Sequence, residues 1–436
     1  MNLTHFPIAT ALRHSLKGYN LATFKHDFFA ALVVSLMALP LSMALAIAVG
    51  LPPQYGLYTA IVAGVVTPLL GGSMTQVSGP TAAFVVILSP IVAELGLRGI
   101  VWAGFLAGVF LVLMGCARLG RLIHYIPEPI TLGFTAGIAL VLMVLSLNDF
   151  LGLDAGALTG SFINKISILL AHMHQISWAE TSIGTVSLIL LFVSRRVIKF
   201  IPAAIIAMLV AVGMTLFYQY HGIDIATIGN RFEGGLPGVG PILHFPTWVS
   251  GHIWSIPSYD EWKVLLVPAL TIALLAALES LLSATVADNL AGTKHDPNAE
   301  LNGIGIGNII SSMAMGIPAT GAIARTATNI QNGGKTPLAA SMHAIFILIY
   351  VLLLTPYINY LPMAALAALL IHAGYRMSHV GQFIRTLKIA PRSDTVILLV
   401  CFTLTVFIDM VMGVSVGLVC AALFALTVRA KSRIVE

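Results

Sequence analysis

Charged residues are scarce in this sequence: Asp, Glu, Lys and Arg make up only 9% of its 436 residues. A soluble chain of this size carries about a quarter of charged residues. Hydrophobic residues reach 58%, and the mean hydropathy is +0.96. This composition excludes a soluble globular domain and identifies an integral membrane protein.

Cysteine and reactive clusters are equally scarce. The three cysteines, Cys116, Cys401 and Cys420, lie in or beside apolar runs without a pairing pattern, which excludes a disulfide framework. The apolar segments contain no metal-ligand cluster and no nucleophile–base pair, so we expect no enzyme activity, no metal and no cofactor. The net charge of +5 gives no reason to expect a nucleic-acid partner.

Long apolar runs are abundant, and at about 17–25 residues they favour membrane-spanning helices over the short alternating strands of a barrel. We predict an all-α membrane protein of fourteen segments, two of which are too short to span. The predicted segments are 27–48, 54–70, 80–94, 99–115, 128–147, 178–199, 202–218, 263–288, 301–315, 321–331, 337–355, 361–376, 395–409 and 411–428.

Basic residues predict the orientation of these segments. Most of the 22 Lys and Arg residues fall into loops on one side when both termini are placed in the cytoplasm. The segments then divide as seven plus seven, and an odd number of crossings inverts the second half relative to the first. We expect a cytoplasmic segment at 1–26, a transmembrane domain at 27–428 with repeats at about 27–218 and 263–428, and a cytoplasmic tail at 429–436.

Two stretches interrupt the apolar pattern at corresponding places, Ser73–Val86 and Ser312–Asn329. Each contains a proline, Pro80 or Pro318, that suits the start of a helix better than its interior. We predict two half-helices, segments 3 and 10, whose N-termini point at one shared site. Free N–H groups and the positive end of the helix dipole make such a site attractive to an anion.

Two charged residues lie deep in apolar runs, Glu279 and Arg325. A charge near the bilayer centre costs at least about 2.5–3.5 kcal/mol, so a functional role is the first hypothesis and a buried ion pair that fixes helix packing is the alternative. Burial favours the neutral carboxyl and a nearby Arg favours the anion, so Glu279 is a candidate proton carrier or fixed anion. Ser283 follows one turn later and is a candidate for the same coupling site.

Small residues open both predicted half-helices and would let an anion reach the backbone N–H groups. The candidate substrate-binding residues are therefore Thr81, Ala82, Gly321, Ala322 and Arg325.

Five motifs give the chain a resemblance to a known family. They are PPQYGLYTA (52–60), VSGPTAAF (77–84), GRLIHYIPEPITLGFTAGI (120–138), GTKHDPNAELNGIGIGNI (292–309) and the segment around Arg325. With them the chain resembles the sulfate permease (SulP) family of anion transporters, which includes pendrin and prestin, and most of all bacterial members that carry dicarboxylates such as succinate.

The resemblance implies a core domain (segments 1–4 and 8–11) that moves against a gate domain (5–7 and 12–14), with the anion between the starts of segments 3 and 10. It implies an elevator-type secondary transporter, and we expect a homodimer in the inner membrane of the cell. The family's usual cytoplasmic STAS domain is absent from the sequence, which ends at Glu436.

At the positions where some family members bind a coupling ion, this sequence carries different residues. Sodium-coupled bicarbonate members carry Asp and Thr on segment 8 and Thr on segment 10, where this chain has Glu279, Ser283 and Ile323. We therefore expect proton-coupled uptake of a dicarboxylate or sulfate. A sodium-coupled bicarbonate transporter, a chloride/bicarbonate exchanger and an anion channel of the same fold remain alternatives. A nucleobase transporter is less favoured, because Arg325 stands where a carboxylate would hold the base.

Overall fold

The structure is a computed structural model and describes residues 7–121, 127–156, 158, 160–197, 202–232, 234–247, 252–408, 412–413, 416–417 and 419–420. Most of these residues are helical. They also include one two-stranded sheet with two residues in each strand. The helices are α1 (Thr10–Ser15), α2 (Leu21–Val49), α3 (Gln54–Leu70), α4 (Val85–Cys116), α5 (Glu128–Leu151), α6 (Phe162–Ala171), α7 (Trp178–Val197), α8 (Ala203–Tyr220), α9 (Ile228–Arg231), α10 (Tyr259–Ala291), α11 (Pro297–Met313), α12 (Ile323–Gln331), α13 (Pro337–Ile358), α14 (Met363–Met377), α15 (Val380–Ile389) and α16 (Arg392–Phe407). The strands are β1 (Ser78–Gly79) and β2 (Thr320–Gly321).

The predicted all-helical membrane fold is confirmed. Within the described residues, six helical stretches are long and apolar enough to cross a bilayer: Leu21–Val49, Ala82–Cys116, Glu128–Leu151, Ala203–Tyr220, Tyr259–Ala291 and Pro337–Ile358. The predicted last span, 411–428, lies mostly outside the described residues, and the predicted tail at 429–436 lies wholly outside them.

Polar residues mark the ends of the longest helices. Asn20 caps α2 by accepting a hydrogen bond from the Thr23 N–H at 2.9 Å, and Ser258 and Glu261 form a capping box at the start of α10. Gly292, at a φ of 68°, ends α10 in the left-handed conformation that glycine adopts without strain. At 33 residues, α10 is about 50 Å long and exceeds the roughly 30 Å apolar thickness of a bilayer.

Predicted segments 3 and 4 form one continuous stretch that a backbone kink divides. A short 3-10 turn at Ala82–Phe84 precedes α4, and within α4 Gly96 has the non-helical angles φ 61° and ψ −154°. The portion before Gly96 is about 20 Å long and α12 is about 14 Å long, so neither spans a bilayer alone. Both half-helices of the prediction are therefore present.

The helices pack in two groups. In the core group, α11 lies against α3 and α4, α13 lies against α2 and α3, and α10 lies against α4 and α12. In the gate group, α14 packs on α5 and α7, α16 packs on α5, and α7 packs on α8. Contacts between the groups run mainly through α2, which meets α14 and α8.

Glycines set the closest approach inside the core group. A Cβ added to Gly108 of α4 would lie 2.6 Å from the Gly305 carbonyl oxygen, and one added to Gly305 of α11 would lie 2.8 Å from that of Gly108. Any side chain at either position would clash with the facing backbone, so only glycine fits. Small residues such as these let membrane helices approach to backbone contact.

The N-terminal segment is docked on the core group. The Ala9 N–H donates to the Leu70 carbonyl at 2.7 Å, and the Asn302 side chain donates to the Pro7 carbonyl at 2.8 Å. Helix α2 begins at Leu21, six residues before the predicted start of the first segment, because Asn20 supplies its cap.

Candidate functional site

The two interrupted stretches meet directly. Strands β1 and β2 pair antiparallel, with Ser78 opposite Gly321 and Gly79 opposite Thr320. The pairing continues where the Ala322 N–H donates to the Val77 carbonyl at 2.8 Å. Stretches that lie more than two hundred residues apart in the chain therefore form one extended ribbon inside the core group.

A helix begins just beyond each strand, and no side chain caps either start. Thr81 precedes the 3-10 turn before α4, and Ala322 precedes α12; neither makes a side-chain cap hydrogen bond. The 3-10 turn begins at Ala82, two residues after Pro80. Helix α12 begins at Ile323, five residues after Pro318, because β2 occupies Thr320 and Gly321. The first N–H groups of a helix have no partner within it, so both starts present donors to a ligand.

Helix α10 lies along the ribbon, and two of its polar side chains, Glu279 and Ser280, contact the ribbon and the adjoining Thr81. Glu279 is half-buried, and its Oε2 accepts a hydrogen bond from the Thr81 hydroxyl at 3.1 Å. The Ser280 hydroxyl accepts from the Gly321 N–H at 2.9 Å and lies 2.9 Å from the Thr320 hydroxyl.

Ser283 lies deeper than Glu279 and contacts a different element. Its hydroxyl is fully buried and 3.4 Å from the Thr326 hydroxyl of α12. The Thr326 hydroxyl also accepts the Val77 N–H at 3.0 Å, so these groups connect α10, α12 and the ribbon. A coupling role for Ser283 stays a prediction.

Arg325 projects from the first turn of α12 to the opposite side of the ribbon. Its side chain is 1% exposed, and its Nη2 donates to the Ser42 hydroxyl and to the Pro80 carbonyl, both at 3.3 Å. The Nε and Nη1 atoms have no hydrogen-bond partner. Among the described residues no carboxylate lies within 4 Å of the guanidinium, so the alternative of a Glu279–Arg325 ion pair is not observed.

Gly79 makes room for that guanidinium. A Cβ at this position would lie 2.5 Å from the Arg325 Nη1. The positive charge is consequently enclosed beneath the break before α4, with Ser42 of α2 on its other side.

Sequence reasoning missed the residues that hold the two breaks in place. Asn308 of α11 clamps the chain before β2: its Oδ1 accepts the Ala319 N–H at 2.7 Å and its Nδ2 donates to the Ala319 carbonyl at 2.9 Å. The Thr59 hydroxyl donates to the Ile317 carbonyl at 2.8 Å. The sequence signal that could have identified Asn308 and Thr59 is that each is a polar residue inside an apolar helix.

Glu300 performs the same task for the first break. Its carboxylate accepts the N–H groups of Gly72 and Ser73 at 2.8 and 2.9 Å and the Gln76 amide at 2.8 Å. Glu300 is 1% exposed, because the loop before β1 wraps around it.

Helices that start in the middle of an apolar bundle, with uncapped N-termini beside a buried cation, are typical of membrane transporters that bind anions. The fold and the candidate site therefore define the class: a membrane transporter built on paired discontinuous helices.

Comparison with known proteins agrees with this class. The profile of the sulfate permease family matches residues 24–401. YvdB of Bacillus subtilis (strain 168), whose name provisionally assigns it to sulfate transport, is 40% identical over 409 residues, which cover 94% of this chain and 74% of YvdB. The bicarbonate transporter BicA of Picosynechococcus sp. (strain ATCC 27264 / PCC 7002 / PR-6) is 29% identical over 405 residues, covering 90% and 68% of the two chains.

Solved structures show the same fold. The transmembrane domain of a cyanobacterial BicA superposes with a TM-score of 0.80 at 26% identity, covering 91% of this chain and 98% of that domain. The structure of SLC26A9 gives a TM-score of 0.82 at 20% identity, over 95% of this chain and 67% of that protein.

The chain belongs to the sulfate permease family of membrane anion transporters, as its motifs predicted. The matched relatives are transporters, in agreement with the prediction that the chain is not an enzyme.

Proposed function

We propose that this chain takes up a small dianion, either a dicarboxylate of the succinate type or sulfate, together with protons. The observation that carries the proposal is the guanidinium of Arg325, which is buried beside two uncapped helix starts and has no carboxylate partner in the part of the chain that the structure describes. A buried charge is costly unless something pairs with it, and a bound anion supplies that partner. In this arrangement Thr81, Ala82, Gly321, Ala322 and Arg325 surround the anion.

The charges of the site favour a dianion. Each helix N-terminus contributes about half a positive charge, so the two starts and Arg325 together present about two positive charges. An ionised Glu279 offsets about half of this, and protonation of Glu279 restores it. A doubly charged anion and a proton are therefore bound most favourably together.

Two observations favour a proton over sodium as the coupling ion. The Ser283 hydroxyl is engaged with Thr326, on a different element from the one that Glu279 contacts. Ile323, at the start of α12, has no side-chain oxygen with which to bind a cation. Sodium prefers several converging oxygens, whereas a proton needs only one carboxylate.

The movement that we propose is an elevator: the core group carries the site across the membrane while the gate group stays fixed. The packing of the helices into two groups, connected mainly through α2, supports this division. We propose repeats at about 27–218 and 263–428, a homodimer, and an inner-membrane location with both termini in the cytoplasm.

The decisive experiment is uptake of labelled succinate, sulfate and bicarbonate into proteoliposomes. Each anion is offered with an inward proton gradient, with an inward sodium gradient and with neither. The proposal predicts concentrative uptake of one of the two dianions with the proton gradient alone. Concentrative uptake that requires sodium, or a preference for bicarbonate over both dianions, would reject it.

Bicarbonate transport is the second candidate, because BicA is similar over nearly the whole chain in sequence and in fold. In that case the sodium gradient, and not the proton gradient, drives uptake. Saturable chloride/bicarbonate exchange would instead indicate an exchanger, and an uncoupled anion current would indicate a channel.

A further inference from the structure

Helix α15 connects the gate helices α14 and α16, and little of its surface is buried. None of the ten residues of Val380–Ile389 is buried. At about 15 Å the helix is too short to cross a bilayer. Because α14 ends at Met377 and α16 begins at Arg392, α15 lies in the link between predicted segments 12 and 13, where the proposed topology has the chain leave and re-enter the membrane.

One side of α15 packs on the protein. The Phe383 ring lies 5.3 Å, centroid to centroid, from the Phe402 ring of α16. The Gln382 amide donates to the Glu128 carboxylate at the start of α5. These contacts hold the helix against the gate group along one face.

A second side of α15 is apolar and open. Successive residues of a helix are about 100° apart, which places Val380, Ile384 and Leu387 on one stripe roughly a quarter turn from Phe383. These three side chains are 44%, 44% and 37% exposed. On α16, which α15 contacts, Val396 and Leu399 are likewise 44% and 42% exposed.

The next side of α15 is basic. Arg385 and Lys388 are exposed on it, and within the described residues neither has a carboxylate within 4 Å. No Asp or Glu occurs between positions 376 and 393. An apolar stripe bordered by lysine and arginine is the pattern of a helix that lies in the plane of a membrane surface.

A groove opens where α14 turns into α15. His379 has a left-handed backbone, with a φ of 42°, which turns the chain before α15 begins. The groove has a volume of about 380 Å³ and is lined by Tyr375, Arg376, His379, Val380, Gly381 and Gln382. It is large enough for a phosphate-containing headgroup.

We propose that α15 lies in the membrane interface and that its basic side and the adjoining groove bind the headgroup of an anionic phospholipid. The apolar stripe inserts among the acyl chains next to α16, while Arg385 and Lys388 lie at the level of the phosphates. Water is an unfavourable environment for the stripe, and Arg385 and Lys388, which within the described residues have no carboxylate within 4 Å, match a negatively charged surface. This inference does not depend on which anion the protein transports.

The test uses the purified full chain in neutral detergent, with phosphatidylglycerol, phosphatidylcholine of the same acyl chains, or glycerol phosphate added. Phosphatidylglycerol is expected to raise the midpoint of thermal unfolding, and the concentration that gives half of the effect measures its binding. Each basic residue near an anionic surface contributes about a fivefold factor in binding, so the double variant R385Q/K388Q should need roughly 30-fold more lipid.

The matched control is R13Q/K17Q, which removes two exposed charges from the N-terminal segment and should leave the lipid response unchanged. An equal response of R385Q/K388Q and the wild type would overturn the proposal, as would an equal effect of phosphatidylcholine. Glycerol phosphate acting alone at the same concentration would indicate a free-anion site instead. A change of oligomer size in R385Q/K388Q would indicate that a second copy covers this face.

Discussion

Arg325 is bound by the protein through only one of its three nitrogens. The Nη2 atom reaches Ser42 and Pro80, whereas Nε and Nη1 are enclosed without acceptors. A guanidinium buried purely for stability would be expected to have its N–H groups satisfied, because an unpaired buried donor costs about 1–3 kcal/mol. The unused donors support the proposed role of Arg325 in attracting an anion.

Replacing Arg325 with Ala is expected to lower transport by roughly 100-fold or more, the loss that follows when one member of a buried charge pair is removed. The variant should still fold, because the side chain makes only two weak hydrogen bonds at 3.3 Å. Uptake in proteoliposomes and the thermal unfolding midpoint are measured together. Arg13→Ala, at an exposed position, is the control. Normal uptake by a folded Arg325→Ala would contradict the assigned role.

Glu279→Gln tests the coupling. Two negative charges in a poorly solvated site disfavour each other, so protonation of Glu279 strengthens anion binding, and by reciprocity the anion strengthens proton binding. Acidic external pH should therefore stimulate wild-type uptake. A Gln side chain can still accept the hydrogen bond of the Thr81 hydroxyl, so the variant should retain counterflow but lose accumulation driven by a pH gradient.

Both assays are run in the same vesicles, with Glu94→Gln, an exposed Glu on α4, as the matched control. If Glu279→Gln still concentrates its substrate with a proton gradient, the coupling group lies elsewhere. If counterflow is lost as well, Glu279 is needed for binding and not only for coupling.

At the scale of elements, the two residues before α12 differ in the space around their side-chain positions: Gly321 is tightly enclosed, whereas Ala322 is not. A Cβ added to Gly321 would lie 2.2 Å from the Gln76 Nε2 and 3.1 Å from the Ser280 Cα, so any substitution there disturbs the ribbon. Ala322 is only partly buried. A branched side chain at 322 can therefore cover the first N–H groups of α12 without displacing its neighbours.

Ala322→Val is expected to weaken anion binding about tenfold or more, a change of roughly 1.4 kcal/mol, without lowering the unfolding midpoint. Gly321→Ala is expected to lower both. The affinity is measured from the concentration dependence of uptake, and Ala171→Val, on the exposed end of α6, is the control. Unchanged affinity in Ala322→Val would place the anion away from the start of α12.

At the scale of the whole molecule, the distribution of basic residues makes a prediction about sidedness. Cys116 ends α4 and is exposed, and it precedes the basic residues Arg118 and Arg121. Trp178, at the start of α7, is 81% exposed and lies on the opposite side in the proposed topology. The two positions should therefore react from opposite sides of the membrane.

A membrane-impermeant maleimide is expected to label Cys116 in inverted vesicles and not in right-side-out vesicles. The variant C116S/W178C should show the reverse. The buried Cys401 serves as the internal control, because it should react from neither side. Labelling of both positions from the same side would reject the proposed orientation.

Much of this architecture follows from local sequence. Span positions such as Glu128–Leu151 follow from apolar runs, because no water is available in a bilayer to satisfy a backbone that is not helical. The breaks around Pro80 and Thr320 were visible as clusters of Gly, Pro, Ser and Thr. The isolated charges Glu279 and Arg325 were visible for the same reason, since each contrasts with its apolar neighbours.

The partners of these groups were decided by the tertiary structure alone. Nothing local in the sequence indicates that Thr81 bonds to Glu279, that Arg325 reaches Ser42, or that Glu300 is enclosed by a loop more than two hundred residues away. Such contacts depend on which helix faces are turned towards each other, and that is set by packing over the whole core group. Hydropathy records the depth of a residue in the membrane, but a single sequence carries no local signal for its neighbours across the bundle.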